Sequence, residues 1–181
     1  MTKRELDTLE DLKTWGVSLT ADLEAQHGAR AVQTLLASGH IQVLESPLGE
    51  VFALAPAGYR HFEYAFQWYK PNASAMMDQL ALRLVVRTML ERGYTGPEWR
   101  SRTAARVVST SGTPTYLVVK YRAPLSSAVT KTVEKLIETG IESDAEIIVF
   151  REQGNRLKAV LTRTTHRVTV EAPPWTGVFP S

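Results

Sequence analysis

Residues 17–62 leave this chain the fewest folds to choose from, because helix and strand signals follow one another there in a strict order, punctuated by glycine. In VSLTADLEAQHG, Thr20 is placed to cap a short helix whose first turn carries Asp22 and Glu24, acidic side chains at the positive helix end. Gly28 then turns the chain into a second helix, ARAVQTLLASG, with Val32, Leu35 and Leu36 at helical spacing and Gly39 suited to a left-handed stop. After it come IQVLES, in which Ile41 and Val43 alternate with polar neighbours, a turn at Pro47-Leu48-Gly49, and a returning strand, VFALA. These three pieces predict a β-hairpin.

The run LLASGHIQVLESPLGEVFALAPAGYRHF resembles the second half of bacterial winged helix-turn-helix DNA-binding domains, including the passage through Ala55-Pro56-Ala57-Gly58 into a new helix. Proline in a first helical turn is physically sensible, since the N–H it lacks has no partner there. The resemblance covers about the first third of the chain. It implies that the hairpin is a wing and that the helix before it is a recognition helix with DNA as partner. Winged helices also serve as protein-binding modules, so an adaptor is the competing reading. On the second helix the outward positions are Arg30, Gln33, Thr34 and Ser38. Arginine suits guanine and glutamine suits adenine by paired hydrogen bonds, while threonine can meet a base or a phosphate.

Upstream, residues 3–15 place Leu6, Leu9 and Leu12 on one stripe of a supporting helix, with Glu5, Asp7, Glu10 and Asp11 outside it. Downstream, Tyr59, Phe62, Phe66 and Tyr69 fall on one face of a helix expected over residues 56–69. That face could close over the first core, form a dimer seam or dock on a second domain. Lys70-Pro71-Asn72 breaks the helix and gives the domain boundary, with Asn72 or Ser74 as the next cap.

From there SAMMDQLALRLVVRTMLERG predicts a long helix with Met77, Leu80 and Leu84 on its apolar face and Arg83, Arg87 and Arg92 opposite. Gly96-Pro97 predicts a loop, TAARVVS and TYLVVKYRA predict strands, SSAVTKTVEKLIETG a helix ending at Gly140, and AEIIVF a buried strand. HRVTVEA is expected to pair in a hairpin with RLKAVLT, although the latter also suits a short helix. PPWTGVFPS, with three prolines, is expected to be an extended arm. The fold class expected is therefore α+β: a winged helix-turn-helix over residues 1–70, an α/β domain over 73–172 and a tail over 173–181.

The order of elements in the second part resembles the layout of replication-relaxation proteins of plasmids and mobile elements, which join a winged helix to a restriction-endonuclease-like core. In active nucleases of that kind a strand ends in an acidic residue, a spacer and a lysine, with a further carboxylate on the preceding strand, and the set holds Mg²⁺. Here Lys120 matches the lysine in Val118-Val119-Lys120, the acidic position is Val118, and TAARVVS supplies no carboxylate. Asp78 and Glu98 do not restore the pattern, so the resemblance implies a core without catalysis and without a site for a hard dication.

Charge bears on the partner. The net formal charge is +2, but six bases against nine acids leave residues 1–70 at −3, so the remainder carries +5. Eight bases face only Glu91 and Glu98 over residues 83–122. Since DNA affinity comes largely from neutralised phosphates, Arg100, Arg102 and Arg106 are expected to add backbone contacts, in and beside the loop before the first strand of the second domain. A homodimer is expected, because two copies double the contacts of an acidic reading domain. The absence of cysteine excludes disulfides and thiolate metal sites, and His27 and His40 stand without further ligands. No cofactor or metal is expected. No apolar stretch is long enough to span a bilayer, and the charged start MTKRELDTLEDL reads as neither a secretory signal nor a myristoylation site. The expectation is a cytoplasmic, non-enzymatic DNA-binding regulator, with no membrane association and with a protein partner as the alternative.

Overall fold

In the computed structural model, which describes residues 1–63, 71–121, 126–151, 164–176 and 179 (backbone only at 126–128), the chain opens on a reciprocally capped helix. α1 (Lys3–Trp15) starts at Thr2, whose hydroxyl accepts from the Glu5 N–H at 3.3 Å while the Glu5 carboxylate accepts from the Thr2 N–H at 2.8 Å. Its buried residues are Thr8, Leu9 and Leu12, and Leu6 is 39% exposed. Three-residue steps fall short of the helical turn of about 3.6 residues, so the stripe drifts and Leu6 leaves it. Thr8 takes the inner place because its hydroxyl donates to the Arg4 carbonyl at 2.6 Å, which satisfies it without water.

β1 (Ser18–Leu19) leads directly into α2 (Thr20–His27), so Thr20 is the first helical residue and no side chain caps that end. Gly28, at φ 91°, turns the chain into α3 (Ala29–Ala37), and Gly39, at φ 70°, ends it in the left-handed region as expected. β2 (Ile41–Ser46) and β3 (Gly49–Leu54) form the hairpin, and β1 pairs with the far side of β3 to give the antiparallel order β1-β3-β2. Leu9, Leu12, Leu23, Val32, Leu35, Ile41, Phe52 and Leu54 make the core of these elements. Burying each such side chain stabilises by roughly 1.5–3 kcal/mol. Val43 faces the same side as Ile41 but lies farther along the hairpin and is 39% exposed.

α4 (Pro56–His61) is shorter than the sequence suggests, since Phe62 closes it and Glu63 stands at φ 57°. Tyr59 and Phe62 do pack against the first core, whereas Phe66 and Tyr69 lie outside the described residues. A Cβ on Gly58 would run into the His40 carbonyl oxygen, which accepts the Ala55 N–H at 2.9 Å. The glycine of the PAGYR sequence is therefore needed for close helix-to-strand approach.

α5 (Ala73–Glu91) is capped by Asn72, whose side-chain oxygen accepts from the Ala75 N–H at 2.8 Å. The chain divides inside this helix into two compact units, Met1–Leu80 and Ala81–Ser181. With six helices and two sheets among the described residues, the protein is α+β.

The second unit is built on β4 (Thr95–Ser101), β5 (Ala104–Val108), β6 (Pro114–Val119), β7 (Glu146–Phe150) and β8 (Arg167–Glu171), in the order β4-β5-β6-β7-β8. β4 occupies the region expected to be a loop. All but one of its residues are exposed, so no apolar alternation marks it, and Pro97 sits at a register irregularity of an edge strand, where proline is tolerated. The first three strands are antiparallel, while β6-β7 and β7-β8 are parallel. A parallel pair needs a long crossover, and α6 (Ser126–Glu138) supplies it between β6 and β7. Val129, Val133 and Leu136 of α6 pack with Ala104, Tyr116, Val118, Ile147 and Val149. Alternate residues Ala105, Val107, Leu117, Val119, Ile148 and Phe150 are buried as well, so the sheet is covered on both faces.

β8 runs parallel to β7, so it is not the returning arm of a hairpin with β7. RLKAVLT, its expected partner, lies outside the described residues. The tail is not an extended arm. Trp175 is only 2% exposed, the Phe179 N–H donates to the Trp175 carbonyl at 3.0 Å, and the Tyr121 ring meets both residues edge-on, with centroids 6.1 and 5.6 Å away. Proline denies the tail a ladder, but turns bury Trp175 and bring Phe179 against Tyr121.

Candidate functional site

Two groups of polar side chains stand out, one in each unit. In the first, α3 turns Ala31, Val32 and Leu35 inward and leaves Arg30, Gln33, Thr34 and Ser38 exposed. Their polar atoms are not equally available. Gln33 donates to the Glu24 carboxylate at 3.1 Å, which leaves its second N–H and its carbonyl oxygen. The Thr34 hydroxyl donates to the Arg30 carbonyl at 2.9 Å, so it can only accept further bonds. Ser38 belongs to the helix end: its hydroxyl donates to the Leu35 carbonyl at 3.2 Å and lies 2.8 Å from His40 Nδ1. A Cβ on Gly28 would meet the Arg4 guanidinium at 3.4 Å. Arg4 thus adds a cation beside the start of α3, one that its position in another helix concealed in the sequence.

The second group lines a cavity of about 600 Å³ formed by β4, β5, β6 and α6. Val119 donates its N–H to the Thr103 carbonyl at 2.8 Å, which holds the β4–β5 turn, carrying Arg102, at the same sheet end as Lys120. Tyr116 and Ala104 supply the wall from the sheet. From α6, Lys131 and Lys135 are four residues apart and therefore on one helical face, and both are exposed at the cavity. With Arg100 the lining holds five cations and, among the described residues, no carboxylate.

Of the arginines expected to act together, Arg100 and Arg102 line this cavity and Arg106 does not. Arg106 is 17% exposed and donates to Glu142 at 2.9 Å and to Glu98 at 3.3 Å. Glu98 also takes Arg100 at 3.0 Å. Lys131 and Lys135 were not among the expected contacts, since two lysines on an amphipathic helix look like any solvated face until the strands opposite them are placed.

Comparison with protein-family models, with curated proteins and with solved structures yields no match. The chemistry of the site rests on its own residues.

Val118, the position for which the nuclease resemblance calls for a carboxylate, is buried opposite Ala104, and both are apolar. Among the described residues no three histidine or acidic side chains gather in a way that could hold a metal ion. His27 instead faces Asp11, with Nε2 3.8 Å from the carboxylate. No described helix is long and apolar enough to cross a membrane.

The edge of the cavity carries a coupled set. Tyr116 donates its hydroxyl to Glu142 at 2.7 Å, and Arg106 approaches the other oxygen of the same carboxylate. The Tyr116 hydrogen bond, then a backbone bond and the Arg106 charge, hold the Glu142 carboxyl below its ordinary value despite burial. Burial, followed by the bond and charge of Glu142, pushes the Tyr116 phenol up. A lowered carboxyl pKa means that the stability it contributes is present above the unfolded value and is lost as pH falls through the folded one. The raised phenol works the other way, its contribution being lost as pH rises. Glu142→Gln should therefore flatten the acid limb of a plot of urea midpoint against pH. An acid limb as steep as that of the parent would show that this carboxyl does not control it.

Proposed function

We propose that the chain is a non-catalytic DNA-binding regulator, acting in transcription or in the replication of a plasmid, phage or other mobile element, and working as a homodimer. The observation that carries the reading is the order α1-β1-α2-α3-β2-β3 with β1 closing onto β3. That order supports a winged-helix reading, in which α3 would be the recognition helix and the β2–β3 hairpin the wing. Arg30 and Gln33 are then the base-reading side chains, Thr34 accepts from a base amine, and Ser38 shapes the end of the helix. Further along, the order α5-β4-β5-β6-α6-β7 supports a degenerate restriction-endonuclease-like core that keeps Lys120 and lacks the carboxylates of cleavage. Arg100 and Arg102 remain its proposed DNA contacts, and Arg106 positions the Glu98 and Glu142 carboxylates.

A protein-interaction adaptor is favoured by two observations: the −3 balance of residues 1–70 and the hold of Glu24 on Gln33. Capture of genomic fragments on the full chain, followed by sequencing and by light scattering of the purified complex, separates the readings. Enrichment of a site with two related halves, bound by two copies and left uncut in Mg²⁺ or Mn²⁺, is the expected result. Fragments no richer than the input would favour the adaptor, a one-copy complex would remove the dimer, and cutting that vanished in Lys120→Ala would make the chain a nuclease.

A further inference from the structure

We propose that the cavity between β4–β6 and α6 is a phosphate-binding site that takes the backbone of a nucleic-acid strand. This rests on the nucleic-acid reading above and extends it to residues outside the recognition helix. Arg100, Arg102, Lys120, Lys131 and Lys135 share one lining with no carboxylate among its described residues. Like charges brought around one cavity repel. An anion between them relieves that repulsion, and a strand offers a row of anions.

Hydroxyls complete the chemistry. Ser101, Thr103, Thr132 and Thr139 also line the cavity, and the hydroxyl and backbone donors of such residues are common phosphate partners. The volume of about 600 Å³ exceeds what a lone phosphate needs and falls in the usual range of ligand pockets. One aromatic ring, Tyr116, is in the lining, and the Arg100 guanidinium already lies 5.9 Å from its centroid. The site therefore selects charge and contains no row of rings on which successive bases would stack, so the contact is independent of sequence. Glu98 divides itself between Arg100 and Arg106, and Glu142 between Arg106 and Tyr116. Lys131 and Lys135 are the sharpest probes, because both are exposed and their replacement removes charge without opening a core.

The experiment uses the full chain, fluorescence anisotropy with a labelled mixed-sequence duplex and with labelled oligo-dT, and calorimetry with ADP as a mononucleotide. Variants are K131Q/K135Q, K131E/K135E and, as the control on the other unit, R30A/Q33A, each checked by circular dichroism. Both lysine variants are expected to weaken strand binding, the charge reversal by at least about tenfold at low salt. In K131Q/K135Q each lost contact should lower the slope of log K against log salt by about 0.9 on duplex or 0.7 on single strands. R30A/Q33A should leave that part of the slope in place. Strand binding of unchanged affinity and slope in both lysine variants would overturn the site while leaving the DNA reading intact. ADP binding that is lost in the lysine variants, with strands unaffected, would assign the cavity to a free nucleotide and overturn the strand. ADP binding through these lysines in a chain that binds no DNA would sink the DNA reading and the strand assignment, leaving a phosphate site alone.

Discussion

Trp175→Ala is expected to cost about 3–5 kcal/mol, as truncation of a large aromatic in a core does. The indole is 2% exposed and lies edge-on to Tyr121, so the substitution loses both its burial and its ring contact and leaves a hole. A domain has only about 5–15 kcal/mol of stability in all, so the loss would be a large part of the second unit's reserve. Trp175→Phe should cost much less. The indole N–H is buried with no acceptor among the described residues, so a phenyl ring gives up no hydrogen bond. Urea unfolding followed by circular dichroism checks both. The transition of the second unit should move to lower urea in the alanine variant while that of the first stays, because the tail belongs to the unit Ala81–Ser181. An alanine variant as stable as the parent would mean that the tail is the loose arm its three prolines suggest.

That tail shows where sequence patterns stop being informative. Proline reports on hydrogen bonding along the chain, and whether a nearby tryptophan finds a pocket depends on Tyr121, some fifty residues earlier. β4 was hidden for a related reason: an exposed edge strand needs no apolar alternation, and its Gly96-Pro97 pair looks like a loop. β1, two residues long, is defined wholly by its pairing of Ser18 with Phe52 and Leu19 with Val51. By contrast α1, α3, the β2–β3 hairpin and α6 were legible because their apolar residues recur at the period of the element and glycines mark their turns or ends, and β6 and β7 because they are continuous apolar runs. The candidate site divides the same way. The outward row of α3 follows from one helix alone. The cationic cavity joins residues from a turn, a strand end and a helix, and local spacing cannot reveal that Lys131 and Lys135 line it together with Arg102 and Lys120. Arg106 illustrates the converse, since its partner Glu142 is 36 residues away and turns an expected surface cation into a bound one.

Arg30→Ala with Gln33→Ala is expected to remove most of the discrimination between the captured target and mixed-sequence DNA. Each good paired contact to a base edge contributes roughly 1–3 kcal/mol of discrimination, so losing two should bring specific binding close to the non-specific level. Arg30 is exposed on α3 and is the stronger candidate. Gln33 must share or release the 3.1 Å bond to Glu24 when it meets a base, and that cost offsets part of its gain. The offset yields a finer expectation. Glu24→Ala, which frees the Gln33 amide and removes a negative charge beside it, should tighten binding to the target, whereas the same change in the Gln33→Ala background should act through charge alone. A double-mutant cycle on affinity separates the two contributions. Stability should hardly change in any of these variants, because Arg30 and Gln33 lie outside the core formed by Leu23, Val32 and Leu35. If the Arg30 and Gln33 double variant kept both affinity and discrimination, α3 would not be the reading helix. The exposed face of the first unit would then be better assigned to a protein partner.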